Sequence, residues 1–383
     1  LYTSVLQTPI LLLGSLIILV LGFKELGGWD EMMRVCGAVT VNDYGDTMTN
    51  LIRSNDDANF PWLGALIGSA IIGFWYWCTD QFIVQRVLSG KNEMEARRGT
   101  IFGAYLKLLP VFLFLIPGMI AFALHQKYIG AGGEGFLPML ENGTANADAA
   151  FPTLVAKLLP AGVKGLVVCG ILAALMSSLA SLFNSSAMLF TIDFYKRFRP
   201  QTSEKKLVGI GQVATVVIVI LGILWIPIMR SVGDVLYTYL QDVQSVLAPG
   251  IAAAFLLGIC WKRTSAQGGM WGLISGMVIG LTRLGAKVYY SNAGEVADST
   301  FKYLFYDMNW LFFCGWMFLF CIIVVIVVSL ATEAPTAEKI QGLVFGTATK
   351  EQKASTRASW NHWDIIHTVI ILAITGAFYW YFW

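Results

Sequence analysis

The stretch ILAALMSSLASLFNSS, residues 171–186, combines an apolar half with a polar half, and this combination indicates the fold of the chain. Its first half is as apolar as a helix that crosses a lipid bilayer. Six of its last ten residues are nevertheless Ser or Asn, and lipid forms no hydrogen bonds with hydroxyls and amides. These polar groups must therefore be satisfied inside the protein, by a neighbouring helix or by a bound ligand.

The rest of the chain has the composition of a membrane protein. Of its 383 residues, 56% are hydrophobic and only 13% are charged, whereas a soluble domain carries about 25% charged residues. Segments of about 20 apolar residues mark bilayer spans. We predict an all-α polytopic membrane protein with nine spans, near residues 5–27, 61–83, 101–126, 164–195, 207–230, 234–260, 268–290, 308–332 and 362–383.

Several function classes do not fit this composition. A net charge of +2 is too small to indicate nucleic acid as a partner. The six Cys have no CxxC spacing and the three His lie at or beyond span ends, so we expect neither a metal centre nor a catalytic triad. The sequence shows no nucleophile–base arrangement, and we therefore expect a protein that is not an enzyme and whose surroundings are the lipid bilayer.

The charge of the loops predicts the orientation in the membrane. The loops at 84–100 and 196–206 are rich in Lys and Arg, which favours the cytoplasmic side, whereas the 28–59 loop is rich in Asp. We therefore expect a multi-pass protein of the plasma membrane with Trp383 on the extracytoplasmic side. The polar stretch 333–361 is expected to be a cytoplasmic linker before the last span.

The polar face of 171–186 has two interpretations. At 3.6 residues per turn, one broad face of a helix carries Ala174, Ser177, Ser178, Ser181, Asn184 and Ser185. Small residues at this spacing let neighbouring helices pack closely. A sodium ion is the alternative ligand, because hard cations bind hydroxyl and carbonyl oxygens. The spacing alone favours packing and leaves ion binding open.

Three further positions place polar groups in or beside spans. Lys107 either extends to the membrane interface or donates hydrogen bonds into a polar cavity. Gln241 offers donors and acceptors that suit a polyol, while Asp242 next to it belongs either to the span or to the loop side. Tyr76 and Trp77 end a span in the sequence WYWCTDQ, either as interfacial belt residues or as part of a site that stacks on a sugar ring.

Five stretches of the sequence together carry a family resemblance: YTSVLQT (2–8), WYWCTDQFIVQRVLSGKN (75–92), AYLKLLPVFLFLIPGMI (104–120), ALMSSLASLFNSSAMLFTIDFYKRF (174–198), and YLQ followed by APGIAAAFLLGICWKR (239–263). In these stretches the chain resembles the sodium/glucose cotransporter family, within the sodium:solute symporters. The resemblance runs over the whole length of the chain.

The resemblance implies a transporter core of two five-helix inverted repeats. Residues 61–260 would form the complete second repeat, with the sugar and sodium half-sites. Residues 1–60 would be the last helix of the first repeat and an outer loop, and 261–383 the peripheral C-terminal helices. The resemblance also implies about five further helices before this chain, which would supply the remaining ligands.

The positions that match the family's motifs imply a sugar site. Lys107 and Gln241 would hydrogen-bond the sugar, and Tyr76 would stack on it as an inner gate, with Trp77 beside it. Gly73 stands where relatives present a hydrogen-bonding side chain to the sugar, and it has none to offer.

The resemblance implies a sodium-coupled symporter that imports a hexose of the glucose or galactose type by alternating access. Na⁺ would be the co-transported ion, bound by the carbonyl of Ala174 and the hydroxyls of Ser177 and Ser178. Two alternatives stay open. One is a sodium symporter for another small solute, such as inositol, an amino acid or a vitamin. The other is a sugar sensor or sodium leak without coupled transport.

Overall fold

The computed structural model describes residues 2–140, 143–232, 236–293 and 296–383, which are helical over most of their length. The first nine helices are α1 (Tyr2–Leu26), α2 (Trp29–Gly37), α3 (Trp62–Cys78), α4 (Gln81–Leu88), α5 (Glu93–Leu108), α6 (Ile116–Gly130), α7 (Ala150–Leu158), α8 (Ala161–Met188) and α9 (Lys196–Phe198). The others are α10 (Glu204–Val232), α11 (Leu236–Cys260), α12 (Ala266–Asn292), α13 (Thr300–Lys302), α14 (Trp310–Ala331), α15 (Ala337–Ile340), α16 (Lys350–Ser359) and α17 (His362–Tyr381). These helices confirm the predicted all-α class.

Each predicted span corresponds to a helix, and most are long and apolar enough to cross a membrane. Among the described residues, seven segments meet this requirement: Gln7–Leu26, Glu93–Gly130, Ala161–Phe198, Glu204–Pro227, Leu236–Cys260, Trp310–Ala331 and His362–Tyr381. The pair of α3 and α4 adds an eighth if it crosses as one bent span. The ninth predicted span, 268–290, is helix α12, whose glycines and two basic residues, Arg283 and Lys287, lower its mean hydropathy. By this criterion the expected number of nine is one or two too high.

The chain forms two compact units, which are described separately. Unit 1 comprises Leu1–Leu51, Gly103–Trp225 and Phe382–Trp383, and unit 2 comprises Ile52–Phe102 and Ile226–Tyr381. The second repeat predicted at 61–260 contributes to both units, and its boundaries stay a prediction.

Unit 1 is built around α1, which packs against α6 and α8. Its core contains Ile18 from α1, Ile120 from α6 and Val167 from α8, all buried. Gly14 permits the close approach of α1 to α8, because a Cβ at this position would overlap the side chain of Val167. Between helices in lipid, such contacts stabilise through close packing, since no water is displaced.

Two segments outside the predicted spans of unit 1 carry short helices, α2 and α7. Met32 and Leu154 of these helices are fully buried in the same core as Ile120. His125 is buried as well, and its Nδ1 accepts a hydrogen bond from the backbone N–H of Leu137 at 3.0 Å. Its ring therefore holds the segment that follows α6. The described residues contain no group of three or more His, Cys, Asp or Glu that could hold a metal ion.

Cys36 in α2 provides a test of this packing. Its thiol is fully buried, with Sγ 3.7 Å from the backbone O of Met119, and burial raises its pKa to about 11. Since the thiolate is the reactive form, only about one thiol in a thousand is reactive at pH 8, even before access is considered. We expect mass spectrometry to find Cys36 unlabelled by a charged maleimide at pH 8 in the folded protein and labelled in SDS. Labelling of the folded protein at the rate of a free thiol would contradict this position of α2.

In unit 2, α11, α12 and α14 pack against one another, and α3 packs against α11 and α14. Ile71 and Ile72 of α3, Ala248 and Ala252 of α11 and Cys314 of α14 are buried in one cluster. The alanines on α11 leave room for the larger side chains of α3. Small residues on one helix thus bring its backbone close to the next.

Helix α12 approaches its neighbours through four glycines spaced one turn apart, Gly268, Gly272, Gly276 and Gly280. A Cβ at Gly276 would lie 2.9 Å from Cα of Gly250 in α11. A Cβ at Gly280 would overlap the backbone O of Val246, also in α11. The backbones of α11 and α12 are therefore in direct contact over about one helical turn.

Candidate functional site

The polar face of α8 contains serines whose hydroxyls are satisfied within the helix. Ser181 Oγ donates to the backbone O of Ser177 at 3.0 Å, and Ser185 Oγ donates to the backbone O of Ser181 at 2.9 Å. Hydroxyls bonded in this way to the preceding turn need no partner on another helix. Ser185 is also buried, as a packing residue should be.

Ser178 on the same face differs from these serines. It is exposed on unit 1, and its hydroxyl makes no hydrogen bond to any residue that the structure describes. Ala174 lies one turn earlier on the continuous helix α8, so its backbone O is near the side chain of Ser178. Ala174 and Ser177 are both half-buried. Two hydroxyls and one carbonyl within two turns form a partial shell of the hard oxygens that a sodium ion prefers.

Lys107 lies in the last turn of α5, just before the π-helical segment Val111–Leu115. Its side chain is exposed on unit 1. Pro110 has no N–H to continue the α-helical hydrogen bonds, and π-helical turns are frequent at functional sites. The geometry fits both interpretations of Lys107, an interfacial lysine and a hydrogen-bond donor to a ligand.

The aromatic motif of 75–81 lies where α3 ends. The axes of α3 and α4 are bent by 50° at this point. Asp80 caps α4, since its Oδ1 accepts from the backbone N–H of Phe82 at 2.8 Å. Thr79 Oγ1 donates to the backbone O of Trp75 at 2.7 Å and closes the end of α3. Asp80 therefore stabilises the start of α4 at the bend. The bend in turn fixes the position of the aromatic residues at the end of α3.

Tyr76 lies in the last turn of α3 and is half-buried. Its ring contacts Trp77 edge to face, with ring centroids 5.1 Å apart, and Trp77 is about half exposed. Gly73 shares a face with Tyr76, and a Cβ at Gly73 would meet nothing within 4 Å. An aromatic ring beside open space has the geometry needed to stack on a ring-shaped ligand.

Gln241 is half-buried in the second turn of α11, and its side chain makes no hydrogen bond to any described residue. Asp242 next to it belongs to the helix, which begins at Leu236, and not to the loop side. Its carboxylate is largely buried and forms ion pairs with two residues of α12. Lys287 Nζ lies 2.6 Å from Oδ2, and Arg283 Nη2 lies 3.4 Å from Oδ1.

The sequence analysis missed the partners of Asp242. Arg283 is fully buried, its Nη2 donates to the backbone O of Met308 at 2.8 Å, and its guanidinium lies 4.0 Å from the ring centre of Phe313. A signal was present, because two basic residues four positions apart inside a predicted span are functional candidates by default. Asp242, Arg283 and Lys287 are named here the charge cluster.

The predicted site residues fall into two sets, one in each unit. Unit 1 holds Lys107 on α5 and Ala174, Ser177 and Ser178 on α8. Unit 2 holds Gly73, Tyr76 and Trp77 on α3 and Gln241 on α11. Within unit 2, these two helices are packed against each other.

Comparison with known proteins identifies relatives along the whole chain. The family model of the sodium:solute symporter family matches residues 1–276. The chain is 35% identical to the sodium/mannose cotransporter SLC5A10 of Bos taurus over 408 aligned residues, which cover 100% of this chain and 67% of the relative. It is 36% identical to sodium/myo-inositol cotransporter 2 of Homo sapiens, with 90% of this chain and 53% of the relative covered. It is 38% identical to sodium/glucose cotransporter 1 of Ovis aries, with 87% and 52% covered.

The chain thus spans about half to two thirds of the length of these relatives. The printed names of the relatives differ in the solute, which is mannose, myo-inositol or glucose, and agree in sodium. The family model covers well over half of the chain, and the relatives exceed 30% identity over most of it. By its sequence and its all-helical membrane fold, this chain belongs to the sodium:solute symporter family.

Proposed function

We propose that the chain carries the sodium-binding and substrate-binding helices of a sodium-coupled symporter for a sugar or polyol. The sodium ion is bound by the carbonyl of Ala174 and the hydroxyls of Ser177 and Ser178. Inward movement of one sodium ion supplies about 2.3 kcal/mol per 100 mV of membrane potential. Coupling requires that sodium binding raises the affinity for the solute, and the solute in return raises the affinity for sodium.

The observation that carries this proposal is the difference among the serines of α8. Ser181 and Ser185 are satisfied by their own helix, whereas the exposed hydroxyl of Ser178 has no partner among the described residues. Packing alone accounts for Ser181 and Ser185 and leaves Ser178 without an explanation. An ion that accepts oxygen ligands provides one.

The solute is a neutral sugar or polyol in this proposal. Within unit 2, Gln241 hydrogen-bonds its hydroxyls, and Tyr76 with Trp77 stacks on its ring. Lys107 of unit 1 stays a separate candidate donor, as the resemblance implies. The amide of Gln241, which bonds to no described residue, and the open space beside Gly73 support this assignment within unit 2. Uptake of D-glucose, D-mannose and myo-inositol by proteoliposomes that contain the full-length protein, with the further helices that the resemblance implies, with and without a sodium gradient, would identify the preferred solute. This full-length protein is the parent in the experiments below.

Replacing Ser178 by Ala should weaken sodium binding. The substitution removes one oxygen ligand without leaving a buried polar group, so we expect the sodium concentration for half-maximal uptake to rise about tenfold or more. Radiolabelled uptake at a series of sodium concentrations measures this constant.

Ser185→Ala is the matched control for this experiment. It lies on the same face two turns later, and its buried hydroxyl already donates to the backbone O of Ser181, so its sodium constant should equal that of the parent. Equal constants for Ser178→Ala and the parent would refute the sodium assignment. Sodium currents that depend on sugar, without accumulation of sugar, would instead favour a sensor or leak.

A further inference from the structure

The charge cluster lies directly beside Gln241, the residue of α11 proposed to bind the solute. Arg283 is completely buried, and its Nε has no hydrogen-bond partner among the described residues. Placing charged groups inside a membrane protein is costly, and replacing a buried ion pair by apolar residues is often neutral or stabilising. The cluster is therefore poorly explained by stability alone.

Close packing of α12 is already provided by its glycines. Gly276 and Gly280 bring the backbone of α12 against α11 without any charged group. Arg283 and Lys287 lie one and two turns beyond Gly280, at the level where α11 carries Asp242. Glycine contacts allow one helix to slide or rotate against another, whereas two ion pairs to a single carboxylate restrict both movements.

Arg283 is fixed by groups outside α11. Nη2 donates to the backbone O of Met308, Nη1 to that of Leu304 at 3.4 Å, and the guanidinium stacks over Phe313 of α14. The ion pair with this guanidinium therefore fixes the position of Asp242 relative to residues 304–308 and to α14. Ser245 Oγ donates to the backbone O of Asp242 at 2.6 Å and restrains the same turn of α11.

We propose that Asp242, held by Arg283 and Lys287, is a positioning residue for Gln241, and that α12 thereby sets the affinity for the solute without touching it. This inference rests on the proposed function, because it assumes that Gln241 binds the solute. The charge cluster fixes the depth and rotation of the turn of α11 that carries Gln241. Its loss leaves Gln241 in place but free to move.

A double-mutant cycle on the solute constant tests this proposal. Gln241→Ala should raise the solute concentration for half-maximal sodium-driven uptake about tenfold, the effect of losing one or two hydrogen bonds. Asp242→Asn should raise it about three- to tenfold in the parent and not at all in the Gln241→Ala background, because Asp242 acts through Gln241. The solute is whichever of D-glucose, D-mannose and myo-inositol the parent takes up best.

Lys287→Met provides a second variant in case Asp242→Asn folds poorly. Lys287 is partly exposed, and its removal leaves Asp242 paired with Arg283. It should raise the solute constant about threefold in the parent and leave it unchanged in the Gln241→Ala background. Thermal stability and the amount of folded protein are measured for every variant, since a purely structural role would lower these and the maximal rate only.

The outcomes separate this inference from the proposed function. A parent protein that shows no sodium-driven uptake of any of the three solutes would overturn the proposed function and this inference with it. Uptake by the parent, together with a raised constant for Gln241→Ala but parental constants for Asp242→Asn and Lys287→Met, would overturn the positioning role alone. Additive effects in the cycle would also overturn it, because they would mean that Asp242 acts independently of Gln241.

Discussion

Replacing Arg283 by Met should destabilise the protein by about 3–5 kcal/mol. Met matches the apolar stem of Arg283 but leaves Asp242 with a single ion-pair partner and two backbone carbonyls, of Leu304 and Met308, without their donor. Removing one partner of a buried polar interaction leaves the other group without compensation. This costs more free energy of folding than replacing both partners by apolar groups. Thermal unfolding in detergent, followed by fluorescence-detected gel filtration, measures the loss.

Lys302→Met is the control for this prediction. The ion pair of Lys302 with Asp298 has N and O atoms 2.9 Å apart, but Asp298 is almost fully exposed. Exposed pairs contribute little because solvent screens them and their side chains lose freedom on pairing. We expect the unfolding temperature of Lys302→Met to match that of the parent. If the unfolding temperature of Arg283→Met also matches that of the parent, the guanidinium is not structurally required.

Replacing Gly280 by Ala should force α11 and α12 apart. The added Cβ overlaps the backbone O of Val246, and a backbone atom cannot move away as a flexible side chain can. Overpacking of this kind costs about 1–3 kcal/mol, and the rigid neighbour places this site at the upper end of the range. The unfolding temperature in detergent should fall accordingly.

Gly285→Ala on the same helix is the matched control, because its Cβ would meet nothing within 4 Å. Alanine favours the helical state over glycine by about 0.8–1 kcal/mol, so this variant should be as stable as the parent or more stable. Equal destabilisation by both substitutions would indicate that α12 does not pack on α11 through its glycine face.

The helices could be predicted because a bilayer allows few alternatives. The span expected at 234–260 is observed at Leu236–Cys260, and that expected at 308–332 at Trp310–Ala331. An apolar run of this length has to satisfy its backbone within itself, so it becomes a helix whatever surrounds it. The short helices α2 and α7 were missed, since nine residues of mixed polarity give no span-length apolar signal and form a marginal helix by themselves. Packing of Met32 and Leu154 into the core of unit 1 stabilises them.

The sequence indicated the site residues less completely than it indicated the helices. The spacing of Ser178, Ser181 and Ser185 is the same for a packing face and for an ion site, and only the hydrogen bonds of the last two to their own helix separate the roles. The partners of Asp242 lie 41 and 45 residues further along the chain, and no local pattern predicts which of the buried charges will meet.

The sequence by itself determined the membrane class, the positions of the spans and the family, because hydropathy and motif residues are local properties of the chain. Only the tertiary structure decided that α12, the least apolar of the predicted spans, packs backbone to backbone against α11. It also decided that the two basic residues of α12 both form ion pairs with Asp242, beside Gln241. Such pairing depends on which helix faces which. That is set by the summed fit of many weak contacts between residues distant in sequence, which glycine spacing and charge counts do not reveal.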